Sequence, residues 1–125
     1  MVKLRQEDIK TKEVLSWKGI HLFHFTFSAC SLKTRIFMGL KNIDYLGHHI
    51  NLQKKENFSP YFQGITPRSL VPVLVDDGEV HIESNDILKY LDNKFPTLSL
   101  IPKDKEEEIN QMMIDQLAVQ VQFQP

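Results

Sequence analysis

The chain predicts an α/β fold, with helices packed on a mixed sheet in the order β-α-β-α-β-β-α. Three observations carry this. Short apolar runs of strand length alternate with segments whose apolar residues recur at helical spacing. Asp76-Asp77-Gly78 is a hairpin turn signal between two of those runs. Pro96 and Pro102 bracket a segment before which strand and helix patterns mix, and after which only helix patterns remain.

Residues 20–25 (IHLFHF) are apolar, aromatic and short, the mark of a buried strand. Leu32, Ile36, Phe37 and Leu40 then fall at the spacing of one helix face. Residues 45–52 (YLGHHINL) form the second strand. Residues 57–65 predict a short irregular helix, interrupted by Pro60 and closed near Gly64. Residues 71–75 (VPVLV) and Val80-His81-Ile82 are the arms of the hairpin. Ser84 is placed as the N-cap of the last helix, with Asp86 in its first turn, where the dipole favours negative charge. Ile87, Leu88, Leu91 and Phe95 are its apolar stripe, and Pro96 stops it. The expected organisation is an N-terminal extension over 1–19, the α/β domain over 20–96, a linker over 97–102, and a helix over 103–125.

A length of 125 residues suits one core, and 42% hydrophobic with 25% charged residues excludes a disordered chain. Fifteen basic against sixteen acidic residues leave a net charge of −1, which argues against a nucleic-acid partner. The single Cys30 excludes an intramolecular disulfide and a multi-cysteine zinc site. Residues 1–19 alternate charged and apolar side chains, unlike a secretory leader, and no apolar run nears the ~18 residues of a membrane span. A cytoplasmic protein is expected. The five histidines do not point to a metal: His48 and His49 are adjacent in a strand and diverge, as do His21 and His24. Met112 and Met113 read as helix core.

Residues 28–36 (SACSLKTRI) resemble the Ser-Ser-Cys-Ser-x-Arg-Val-Arg-Ile signature of zeta-class glutathione transferases. Asn42-Ile43-Asp44-Tyr45, Ile50-Asn51-Leu52, residues 70–74 (LVPVL) and residues 83–87 (ESNDI) fit the same family in order. The resemblance covers roughly residues 20–102 and is to the N-terminal, thioredoxin-like domain of the soluble glutathione transferases, zeta-like first and omega-like second. It implies a thioredoxin-like domain followed by the first helix of an all-helical C-terminal domain. That family's helical domain exceeds a hundred residues, so the resemblance leads one to expect only its start in 103–125, whether in a fragment or in a chain that has lost most of an electrophile site. Ala29 departs from the signature's middle serine.

The resemblance implies glutathione as cosubstrate, a small electrophile as second substrate, a homodimer, a role in detoxification, and no metal. It places Ser28 against the glutathione sulfur, at a helix start that favours anions. A thiol of pKa about 8.5 is only ~3% ionised at pH 7, and lowering it by about two units takes ~2.7 kcal/mol. A hydrogen bond to a charged group supplies roughly 1.5–3 kcal/mol and the helix end about 0.3–1, so no general base is needed. A plain N-cap is the competing use of Ser28. Cys30, in the first helical turn, is a second candidate nucleophile, or a small buried hydrophobe. Ser31 is a third hydroxyl, expected to cap or to be solvated. Val71-Pro72 is expected to be cis, leaving the Val71 backbone open to pair with the cysteinyl residue of glutathione. Glu83 and Ser84 are expected to take the γ-glutamyl ammonium and α-carboxylate, and Lys55 the glycyl carboxylate. Two other functions compete with the transferase: a thiol-disulfide oxidoreductase using Cys30, and a non-enzymatic interaction module.

Overall fold

A computed structural model of the chain describes residues 3–96. The expected linker over 97–102 and helix over 103–125 lie outside the described residues. Within them, four strands form one mixed sheet: β1 (Ile20–His24), β2 (Leu46–His49), β3 (Val73–Asp76) and β4 (Glu79–His81), in the spatial order β2-β1-β3-β4. Three α-helices accompany them: α1 (Ala29–Leu40), α2 (Pro60–Gln63) and α3 (Ser84–Lys94). This is the predicted order.

β1 pairs parallel with β2, in the register Phe23 to His48, and antiparallel with β3, in the register Leu22 to Leu74. A parallel pair requires a crossover, and α1 supplies it. β3 and β4 pair antiparallel around Asp77 (φ 47°) and Gly78 (φ 84°). Two positive φ values in a two-residue loop are the type I′ requirement, which Asp-Gly meets. Gly78 is also needed for space: a Cβ there would sit 2.2 Å from the Leu15 carbonyl oxygen.

Alternation along the strands splits the core in two. Leu22 and Leu74 face α1 and α3, where they meet Phe37, Met38, Ile87, Leu88 and Leu91. Phe23, Val73, Val75 and Val80 face the other way, onto Phe62, Ile65, Ile9 and Val14. At about 1.5–3 kcal/mol per large apolar side chain removed from water, both layers contribute substantially.

Ile9 and Val14 lie within 1–19, so that extension is no free tail where it is described. Its backbone donates from Leu4 N to Val80 O (2.9 Å), covering the outer edge of β4. Lys10 N and Thr11 N both donate to Gly64 O, and the Thr11 hydroxyl donates to Tyr61 O (2.6 Å), which fastens the segment to α2.

Three local expectations need correction. β2 ends at His49 rather than at residue 52. The Glu56 carboxylate accepts from Asn51 N (2.7 Å) and the Asn51 side chain accepts from Lys54 N (3.1 Å), so a turn competes successfully with further pairing. Of the four residues expected to bury α1, Phe37 does so, but the other three face outward: Leu32, Ile36 and Leu40 are 47%, 53% and 58% exposed. The buried positions of α1 are Cys30, Ser31, Thr34, Phe37 and Met38. Finally, Ser84 is the first helical residue of α3, and Glu83 occupies the N-cap position.

Candidate functional site

β1 ends at His24, and Phe25 to Ser28 carry the chain into α1. Ser28 N donates to Phe25 O (3.0 Å), closing that turn. Ser28 is the N-cap: its hydroxyl oxygen accepts from Ser31 N at 3.2 Å. In this cap the hydroxyl oxygen is the acceptor, and a hydroxyl also carries one donor. Ser31 is fully buried rather than solvated, and its hydroxyl oxygen accepts from Phe25 N at 3.3 Å. Both serines therefore fix how the β1 end meets α1.

The Val71-Pro72 peptide bond is cis. Pro72 has no N–H to give to a ladder, and regular pairing in β3 begins one residue later, at Val73. Across from this bend, Glu83 adopts φ 73°, in the region that non-glycine residues avoid, and so turns the chain into α3. Ser84 follows at the first helical position and is buried.

These segments meet at one pocket, which encloses about 380 Å³ including the open space at its mouth. Its lining includes Cys30, Val71, Pro72, Glu83 and Ser84. Ser28 and Lys55 are not among its lining residues. Lys55 is exposed, in the left-handed region (φ 61°) ahead of a 3₁₀ turn over Glu56–Phe58. The pocket therefore unites five of the seven residues expected at the site.

It also brings in residues the sequence reading did not single out: Thr66, Arg68, Leu70 and Ile82. Arg68 Nη1 forms an ion pair with Glu83 Oε1 on the pocket wall. No local pattern announces that pair, because the partners belong to different turns. Beside the pocket, Lys33 Nζ donates to Asn85 Oδ1 (3.2 Å) in the first turn of α3. Burial pulls the Lys33 ammonium below its usual range, and the neighbouring Cys30 sulfur pulls it back up. A helix start, a cation on one wall, an acid beside it and a cis-proline bend suit a ligand that is peptide-like and carries both charges.

The histidines do not join this pocket. His21 and His48 meet across β1 and β2, with Nδ1 and Nε2 2.9 Å apart. His21 Nε2 lies 2.9 Å from the Lys18 carbonyl, which can only accept, so with both rings neutral His48 is the donor within the pair. Trp17 stacks on both rings, at centroid distances of 4.4 and 4.8 Å. Among the described residues, no group of three or more His, Cys, Asp or Glu is arranged to hold a metal ion. Among them, too, no helix is long and apolar enough to cross a membrane.

Residues 22–104 match the family described as "Glutathione S-transferase, N-terminal domain". A zeta-class glutathione S-transferase from Euphorbia esula is 40% identical over 85 residues, which cover 68% of this chain and 38% of that protein. Maleylacetoacetate isomerase from Mus musculus is 36% identical over 98 residues, covering 77% of this chain and 45% of that protein. The solved structure of a bacterial zeta-class maleyl pyruvate isomerase superposes with a TM-score of 0.68 at 30% identity, over 73% of this chain and 44% of that one. The chain thus spans less than half the length of these relatives.

Proposed function

This chain belongs to the glutathione S-transferase family through its N-terminal domain, and we propose that it binds glutathione and presents it as a thiolate to a small electrophile. The outcome is conjugation or a glutathione-assisted isomerisation. One observation carries the reading: the cis Val71-Pro72 bend, Glu83, Ser84 and Cys30 line a single pocket at the start of two helices.

In this reading the Val71 backbone pairs with the cysteinyl residue of glutathione as an added strand would. The Glu83 carboxylate receives the γ-glutamyl ammonium. The Ser84 hydroxyl and the amide end of α3 receive the α-carboxylate. Lys55 takes the glycyl carboxylate. The Ser28 hydroxyl, whose oxygen already accepts from Ser31 N, donates its proton toward the sulfur. That hydrogen bond and the dipole end of α1 together favour the thiolate by roughly 2–4 kcal/mol, enough to ionise most of the thiol near neutral pH. The thiolate then attacks the electrophile. In conjugation the new carbon–sulfur bond is retained; in isomerisation it breaks again after rotation. A homodimer, a cytoplasmic setting and a role in detoxification belong to the same reading.

A second reading rests on the lining of the pocket, which includes Cys30 and not Ser28. Here the Cys30 thiolate attacks a glutathione mixed disulfide. The substrate leaves as its thiol, and Cys30 is joined to glutathione. A second glutathione thiolate attacks that disulfide, regenerating Cys30 and releasing glutathione disulfide.

Two single variants separate these readings. With Ser28→Ala the conjugation rate should fall about 10- to 100-fold, the bound thiol should titrate nearer its free value, and glutathione should still bind. Cys30→Ala should leave conjugation largely intact. Loss of thiol transfer in Cys30→Ala with no effect of Ser28→Ala would favour the oxidoreductase. Absence of measurable glutathione binding by the parent would leave the interaction module.

A further inference from the structure

We propose that Arg68 is a specificity-determining residue of this pocket, forming with Glu83 a clamp for the zwitterionic α-amino-acid head of the γ-glutamyl group. Glu83 takes the ammonium, and Arg68 joins Ser84 and the α3 amide end in holding the carboxylate. The inference rests on the glutathione reading and adds to it a residue and a selectivity.

The two side chains approach from different walls. Arg68 lies in the loop before the cis bend, and Glu83 sits at the N-cap of α3, yet they are in direct contact and both line the pocket. A lone carboxylate there would favour any amine, and the α3 amide end alone would favour any anion. Paired, the two side chains are neutral together and offer both signs at contact distance. An α-amino acid carries its ammonium and carboxylate on a single carbon, so both charges must be met within a few ångströms. A contacting Arg–Glu pair provides that spacing.

Arg68 is also suited to the task by number of donors. A guanidinium has five N–H donors, and the contact with Glu83 leaves others for a second carboxylate. The pocket's other described lining side chains supply no further cation: Leu70, Val71, Pro72 and Ile82 are apolar, and Thr66 and Ser84 are hydroxyls. The Arg68 side chain is 54% exposed, so solvent screens it and the expected effect is moderate.

The test is calorimetric titration of the full chain with three ligands. They are glutathione, 4-aminobutyryl-Cys-Gly, which lacks only the γ-glutamyl α-carboxylate, and γ-Glu-Cys-ethylamide, which lacks the glycyl carboxylate. Arg68→Ala should weaken glutathione and the ethylamide about tenfold each, a change of ~1.4 kcal/mol. It should leave 4-aminobutyryl-Cys-Gly within twofold of the parent, and Arg68→Lys should recover part of the loss. Equal weakening of all three ligands would mean that Arg68 only props Glu83, and would overturn the proposal. Unchanged affinities would overturn it too, as would a loss confined to ligands that carry the glycyl carboxylate. Melting curves of each variant check folding, and Arg68→Gln replaces Arg68→Ala should the latter unfold. Failure of the parent to bind glutathione is a separate outcome, which removes the glutathione reading itself and this inference with it.

Discussion

Helices α1 and α3 pack beside each other on one face of the sheet, and they bury different mixtures of side chains. In α3 the apolar stripe points inward: Ile87, Leu88 and Leu91 are buried against Leu22 and Leu74. In α1 the stripe of Leu32, Ile36 and Leu40 points outward, while Cys30, Ser31 and Thr34 are buried with Phe37 and Met38. The difference lies in what each helix start must do. The inner face of α1 ends where β1 hands over the chain, and small hydroxyls there bond to backbone groups that large apolar side chains could not reach with a polar atom. Ser31 accepts from Phe25 N, and the Thr34 hydroxyl donates to Cys30 O at 2.9 Å. Helical period locates a face; it does not say which of two faces meets the core.

The sharpest test of this contrast is a truncation on the inward stripe. Leu91→Ala should destabilise the domain by about 2–5 kcal/mol, since it removes a fully buried side chain and leaves a cavity. Denaturant midpoints at constant slope measure it. An effect below about 1 kcal/mol would mean that α3 does not anchor the core.

The joint between the helices comes next. Lys41, just past α1, has a fully buried side chain; its Nζ lies 2.8 Å from Asp92 Oδ1 and donates to Phe95 O at 2.5 Å. Lys41→Ala leaves the Asp92 carboxylate without this partner and should cost about 3 kcal/mol. Lys41→Arg, which keeps the charge, should cost less. Equal unfolding midpoints for the two variants would show that packing rather than pairing holds the joint.

Acid should loosen the sheet that both helices cover. Burial holds His24, His48 and His81 below their ordinary value; Arg35 of α1 lowers His24 further, while Glu79 and Asp76 oppose the shift of His81. His81 is stacked on Tyr90 of α3 at 4.1 Å, its Nε2 lies 3.7 Å from Glu79 Oε2, and among the described residues neither ring nitrogen has a hydrogen-bond partner. The unfolded chain therefore binds protons more readily than the folded one. Stability is fully present above about pH 6.5 and falls as pH drops below it. Urea midpoints at pH 7.5 and 5.5 should show the loss, and His81→Phe should reduce it. A midpoint that rises on acidification would contradict the direction of these shifts.

The smallest effect is expected on the outward stripe. Ile36→Gln should alter stability by no more than about 0.5 kcal/mol, because the side chain is already half in water. A loss comparable to that of Leu91→Ala would erase the contrast between the two helices.

Much of this architecture was legible before any coordinates. Asp77-Gly78 specifies its turn through the backbone freedom of two residues, and the residues 71–74 and 83–87 identify the family of their bend and helix start. Five of the seven expected site residues share one pocket because those short segments carry their geometry with them. Lys55 falls outside its lining because loop position alone says little about direction.

What local chemistry can specify, the sequence by itself determined: the element order, the two-residue turn, the inward stripe of α3, and the segments that build the pocket. Tertiary structure decided which face of α1 is covered, that Glu83 rather than Ser84 holds the N-cap, that His21 meets His48, and that Arg68 meets Glu83. The physical reason is range. A φ preference or an alternating pattern is a property of a few adjacent residues, whereas the His21–His48 and Arg68–Glu83 contacts join partners from separate segments and exist only once the fold has brought them together.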